Sequence, residues 1–194
     1  MPTLLPIISF AFVMSITPGP NNIMLWASGA NFGFKRSLPH MLGINLGFGS
    51  LLLLCGLGLG ALFEQFPLFQ LLLKIGGSLY LVYLAYRIAT ASGIKQGEAA
   101  KPINFWEAAS FQYINPKAWV MGLTAMSAFV LPQGSFILST LVITLIFMLV
   151  NLPCISVWVI FGSAMGRFLT NPKLRLAFNL TLSALLIGII FMLF

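Results

Sequence analysis

The chain has 194 residues, of which 59% are hydrophobic and 7% charged. A soluble domain carries roughly a quarter charged residues, so this composition excludes a water-soluble protein and predicts an all-α integral membrane protein. The net charge of +7 comes from ten Lys and Arg against three acids, but those bases fall mainly in short loops, where they act as topology signals beside anionic lipid, not as a nucleic-acid surface.

At about 20 residues per span, the length predicts about six transmembrane helices in a single domain, residues 1–194, whose solvent is the lipid bilayer. The first helix is expected from Leu4 to Ser28. The N-terminus has no basic stretch followed by a short apolar run and a cleavage site, so it reads as a retained span and not a signal peptide. This first run is interrupted by Thr17-Pro18-Gly19-Pro20-Asn21-Asn22. Each interior proline removes a backbone hydrogen bond and clashes with the preceding turn, at about 3 kcal/mol. Within lipid, freed backbone groups are tolerated only where protein or a water-filled cavity surrounds them. The break is therefore a candidate solute site.

A short basic loop over residues 31–37 leads to a second helix, from about Pro39 to Phe63. Its Gly43-x-x-x-Gly47 and Gly56-x-x-x-Gly60 spacings are close-packing patterns, and Asn45 adds a polar group at depth. The third helix, about Pro67 to Ile88, carries Lys74. A polar linker, about residues 89–104, follows. The fourth helix, about Phe105 to Val130, is interrupted by Asn115-Pro116-Lys117. A tight turn over residues 131–135 precedes the fifth, about Phe136 to Ser163, which holds Asn151 and Pro153. The sixth runs from about Leu174 to Leu193. The two cysteines, Cys55 and Cys154, lie in apolar runs without metal-ligand spacing, so neither a metal site nor a cofactor is expected.

Lys35, Arg36, Arg87, Lys95, Lys101, Arg167, Lys173 and Arg175 all lie in or beside the loops after the first, third and fifth helices. The positive-inside rule makes those loops cytoplasmic and puts both termini outside. Trp26, Trp106 and Trp158 are expected at the cytoplasmic interface.

Four prolines, Pro18, Pro20, Pro116 and Pro153, fall at mid-membrane, each near an asparagine. The first and fourth helices start from opposite sides, and their breaks come at similar depth. That predicts two inverted three-helix repeats (about 1–88 and 105–194) with a binding site at their interface. The half-helix N-termini suit a carboxylate. Freed carbonyls, with the amides of Asn21, Asn22 and Asn115, suit an ammonium, and Asn151 is a further candidate for the site. Lys117 is too deep to reach the membrane surface and needs a partner or a cavity. The chain has no aspartate, and Glu64, Glu98 and Glu107 lie at or beyond helix ends. A cationic side chain would find no deep partner, so a small neutral zwitterion is the expected substrate. For proton coupling the sequence offers only Lys74, His40 and Glu107.

The residues Thr17-Pro18-Gly19-Pro20-Asn21, Gly33 with Lys35-Arg36 and then Gly43 and Gly47, the run from Lys74 to Leu81, and the run from Phe111 through Asn115-Pro116-Lys117 to Ala118 resemble the lysine exporter (LysE) superfamily, in its homoserine/threonine efflux branch. The stretches 101–106 and 129–133 look closest to that branch's cysteine/O-acetylserine exporters. The resemblance covers essentially the whole chain. It implies export of amino acids across a bacterial inner membrane, drive by the proton gradient, and a homodimer. It also implies that Pro18, Gly19, Pro20, Asn21, Asn115, Pro116 and Lys117 carry the function. Alternating access is expected, with one half rocking against the other. A passive channel is the alternative. A metal-ion exporter is disfavoured by the single histidine and the absence of a ligand set, and an enzyme by the lack of any catalytic constellation at membrane depth.

Overall fold

The computed structural model describes residues 4–59, 65–91, 101–130 and 135–192. The expected turn over residues 131–134 and most of the linker, residues 92–100, lie outside the described residues. So do Gly60, Glu64, Lys95 and Glu98.

Regular structure among the described residues is entirely helical. Helix α1 (Leu4–Ile16) and α2 (Pro20–Phe32) are the two pieces of the first expected helix, bent by 56°. Proline supplies the first residue of α2, where its missing N–H costs nothing. Gly33, at φ 80°, then turns the chain in a single residue and donates its N–H to Gly29 O at 2.9 Å. Helix α3 (Phe34–Leu54) starts at once. The expected basic loop is thus reduced to Gly33, and Lys35 and Arg36 sit in the first turn of α3. Pro39, expected at that helix's start, lies inside it. A wider π-helical turn (Cys55–Leu59), with Gly58 at φ 106°, ends α3.

Helix α4 spans Pro67–Thr90. Helix α5 (Phe105–Phe111) tightens into a 3₁₀ turn (Gln112–Ile114), and α6 (Pro116–Phe129) starts after Asn115. Helix α7 runs unbroken from Phe136 to Phe168, and α8 from Pro172 to Phe191. Four helical segments are long and apolar enough to cross a bilayer: Phe34–Gly58, α4, α7 and α8. The bent pair of α1 and α2 makes a fifth. Exposed Leu, Ile and Phe side chains cover the outer faces of α4, α7 and α8, as lipid-facing surfaces require.

The closest packing joins the first half of the chain to the second. Helix α2 packs along α7, α3 along α5 and α7, and α4 along α8. Small residues allow it. A Cβ on Gly29 would overlap the Val159 carbonyl, and one on Gly162 the Trp26 carbonyl. A Cβ on Gly47 would lie 2.6 Å from Ala109 Cα, and one on Gly43 would overlap Phe105 O. The Gly43–Gly47 spacing therefore acts within one chain.

Trp158 departs from its expected interfacial place. Its Nε1 donates to Ile16 O at 3.2 Å, one of the carbonyls left over where α1 ends. The reason is length: α7 runs to Phe168, so Trp158 sits well inside it and beside the break. Its ring also meets that of Trp26, tilted by 55°, and Trp26 in turn meets Phe161 and Phe178.

Candidate functional site

The two breaks meet. Residues from both line one cavity: Ser15, Gly19, Pro20, Asn21 and Asn22 from the first, and Gln112, Asn115 and Lys117 from the second. Asn151 of α7 and the apolar side chains of Ile44, Phe48, Met121 and Ile155 complete the wall. The void is about 30 Å³, room for a water or so and not for an amino acid.

Lys117 bridges the breaks. Its Nζ donates to Thr17 O at 2.9 Å, to Thr17 Oγ1 at 3.0 Å and to Pro18 O at 3.4 Å. The helix ladder does not pair these carbonyls, because α1 stops at Ile16 and prolines follow. A cation at a helix C-terminus is also favoured by the helix dipole. Gly19 makes room for the bridge, since a Cβ there would lie 2.9 Å from Lys117 Cδ. The Thr17 hydroxyl in turn donates to Met14 O at 3.1 Å.

The asparagines divide their work. Asn22 holds the first break together, its Nδ2 donating to Ser15 O at 2.9 Å and to Thr17 O at 2.8 Å. Asn115 caps α6, its Oδ1 accepting from Lys117 N at 3.2 Å, and Pro116 is the first residue of that helix. Asn21 pairs with Gln112: one amide bond is 2.8 Å, the return bond 3.2 Å. Asn151 Nδ2 donates to Asn45 Oδ1 at 3.0 Å, and both are buried. By contrast, Gly19 gives the N-terminus of α2 no side-chain cap.

The remaining expected residues lie elsewhere. Pro153 does not interrupt α7; it is exposed and lines an outward apolar groove with Ile8, Phe12 and Val157. Lys74 is exposed on α4, away from the cavity lining. Glu107 pairs with Arg87 and completes the capping box of α5 with Asn104. Arg87 also donates to Lys101 O at 3.1 Å. His40 is completely buried in α3, and neither ring nitrogen has a hydrogen-bond partner among the described residues. No three His, Cys, Asp or Glu side chains converge on a metal geometry among the described residues.

Two polar cavity residues escaped the sequence reading. Gln112 is completely buried, and an amide one turn before an Asn-Pro break in an apolar helix was signal enough to find it. Ser15 presents a buried hydroxyl with no partner among the described residues. It precedes the first break by a few residues.

The family model described as LysE type translocator matches residues 12–194. A cysteine/O-acetylserine efflux protein of Escherichia coli strain K12 is 40% identical over 133 residues, 68% of each chain. Its namesake in Shigella sonnei aligns equally well, at 40% over 133 residues and 68% of each chain. That of Shigella flexneri serotype 5b is 39% identical over 125 residues, 64% of each. No solved structure matches the chain.

Proposed function

The chain belongs to the LysE type translocator family, and from that premise we propose that it exports small neutral amino acids or their derivatives from the bacterial cytoplasm. Cysteine, O-acetylserine, homoserine and threonine are the first candidates, the first two because the relatives carry them in their names. The observation that carries the reading is the meeting of both breaks at one polar cavity.

The first break offers opposite charges at adjacent points. The uncapped N-terminus of α2 suits a carboxylate, and the carbonyls of Thr17 and Pro18 suit an ammonium. Ser15, Asn21, Gln112 and Asn151 add neutral polar contacts at the wall, and the partnerless Ser15 hydroxyl fits a polar guest. No lining residue is acidic, which leaves a cationic side chain without a counter-charge.

We assign the chain six spans in two inverted repeats, with α5 and α6 as the broken sixth. The packing supports this. Exchanging the halves maps the α1–α7 contact onto α5–α3 and the α2–α7 contact onto α6–α3, and maps α3–α7 and α4–α8 onto themselves. Transport proceeds by alternating access, driven by protons entering as substrate leaves. The cavity in its present size is closed, so the half-helices on either side of the breaks swing to admit substrate. The close contacts between α2 and α7 and between α3 and α5 make the breaks better hinges than the boundary between repeats. Odd loops face the cytoplasm and both termini the outside of the inner membrane. A homodimer rests on the family resemblance alone, because the Gly43–Gly47 face is filled within the chain.

The test is counterflow in liposomes containing the purified protein, with a panel of cysteine, O-acetylserine, homoserine, threonine and lysine. Saturable exchange of a neutral member is expected. Unsaturable flux without counterflow would favour the channel instead, and lysine as the preferred member would overturn the argument from missing acids.

A further inference from the structure

Among the described residues, Lys117 is the only titratable side chain in the lining of the central cavity. Helices α1 and α2, which it touches, contain no titratable residue. On α3 the charged or titratable groups are Lys35, Arg36 and His40, all in the first two turns. On α4 they are Lys74, the tyrosines 80, 83 and 86, and Arg87. Cys55 and Tyr113 lie in the turns next to α6, with the Tyr113 hydroxyl paired to Ser50 Oγ at 2.7 Å. Cys154 and Arg167 belong to α7. None of these lines the cavity.

The geometry around Lys117 is that of an occupied ammonium site. An ammonium has three N–H donors, and Nζ has three acceptors, Thr17 O, Thr17 Oγ1 and Pro18 O. A transported amino acid brings an ammonium of the same charge and the same donor count. Among the described residues the cavity lining offers it no carboxylate. Both cations cannot hold these oxygens together, and with Lys117 in place the void is about 30 Å³.

We propose that Lys117 and the ammonium of the transported amino acid occupy the Thr17–Pro18 carbonyls in turn, and that Lys117 carries the proton exchanged for substrate. The proposal rests on the export reading above. Substrate arriving from the cytoplasm displaces Nζ. A buried ion left without partners neutralises instead of staying charged, and lysine does so more readily than arginine. One N–H bond of Lys117 breaks, and its proton passes to water on the cytoplasmic side. When the site faces outward, the neutral amine takes a proton from water there, recovers the carbonyls and expels the substrate. One proton enters for each amino acid that leaves.

Two measurements on the purified full-length protein in lipid test this. The first is counterflow of O-acetylserine with equal pH on both sides, across a pH series. Competition between one proton and substrate makes the KM rise by about tenfold per pH unit on the acid side. Lys117→Gln has no proton to exchange and no cation to be displaced, so it still exchanges substrate but its KM no longer varies with pH. Lys117→Arg keeps the carbonyls permanently occupied and exchanges nothing. The second is the pH change when O-acetylserine is added to wild type in weak buffer, where about one proton is released per molecule bound. A flat KM in wild type, a wild-type pH slope in Lys117→Gln, or binding without proton release each overturns the proposal while the export reading stands. If Lys117→Gln exchanges nothing, proton release by wild type decides. If wild type moves no amino acid of the panel, both readings fall.

Discussion

Lys117 and Thr17 stand 100 positions apart in the chain, yet the lysine ammonium is 2.9 Å from the threonine carbonyl. Each residue belongs to a different broken helix, and each break supplies what the other lacks. The first leaves carbonyls that the helix ladder does not pair. The second leaves a cation without a counter-ion.

Separating the two lysines at risk of confusion is the simplest experiment. Lys74 is exposed on α4, so Lys74→Gln should leave export within about twofold of wild type, the usual effect of a surface substitution. Lys117→Gln removes the bridge and should lower export by at least tenfold, on the order of a lost charged hydrogen bond. Export rates at matched membrane abundance make the comparison.

The Asn21–Gln112 pair should behave as a unit. Either single change to alanine strands the partner's amide, at about 1–3 kcal/mol. The double variant should be less damaged than the sum of the two. A thermal melt of the three purified variants reads the coupling, and strict additivity would mean that the pair does not form.

Asn115 has a structural duty separable from its place in the cavity wall. Asn115→Ala removes the α6 cap at about 1 kcal/mol, and serine, a good capping residue, restores the stability. The melting temperature is expected to fall with alanine and recover with serine.

Glycine-dependent packing predicts a contrast within one residue type. Gly47→Leu drives a side chain into the Ala109 backbone, while Gly76 has nothing within 4 Å of an added Cβ. Overpacking costs about 1–3 kcal/mol or more, so membrane abundance should drop for Gly47→Leu and hold for Gly76→Leu.

Topology can be tested at Trp106, which is 76% exposed at the start of α5. In a chain with Cys55 and Cys154, both buried, replaced by alanine, Trp106→Cys should react with a membrane-impermeant thiol reagent only in inside-out vesicles. Labelling in right-side-out cells would reverse the assigned orientation.

The two breaks were legible in the sequence because the chemistry that makes them is local. Pro18, Pro20 and Pro116 lack an N–H wherever they stand, and helix ends at Ile16, Pro20 and Pro116 follow directly. What joins the breaks was not legible, since Lys117 could be read only as needing some partner. The same limit hid the Asn21–Gln112 and Asn45–Asn151 pairs, whose members sit in different helices. Pro153 was read as a site residue because proximity to Asn151 in sequence stood in for direction. Two residues along a helix is about 200° around it, and the proline faces out while the asparagine faces in. Trp158 was misplaced by a helix end drawn five residues short, Ser163 against Phe168.

The contact of Gly29 with Val159, and of Gly162 with Trp26, also sets an order on synthesis. Helix α2 is made early, and the helix that covers its small-residue face is nearly the last to emerge. Until α6 and α7 enter the bilayer, the bend between α1 and α2 has only Asn22, and neither Lys117 nor Trp158, to satisfy its carbonyls. The nascent first hairpin therefore starts with a polar notch that its own residues satisfy only in part.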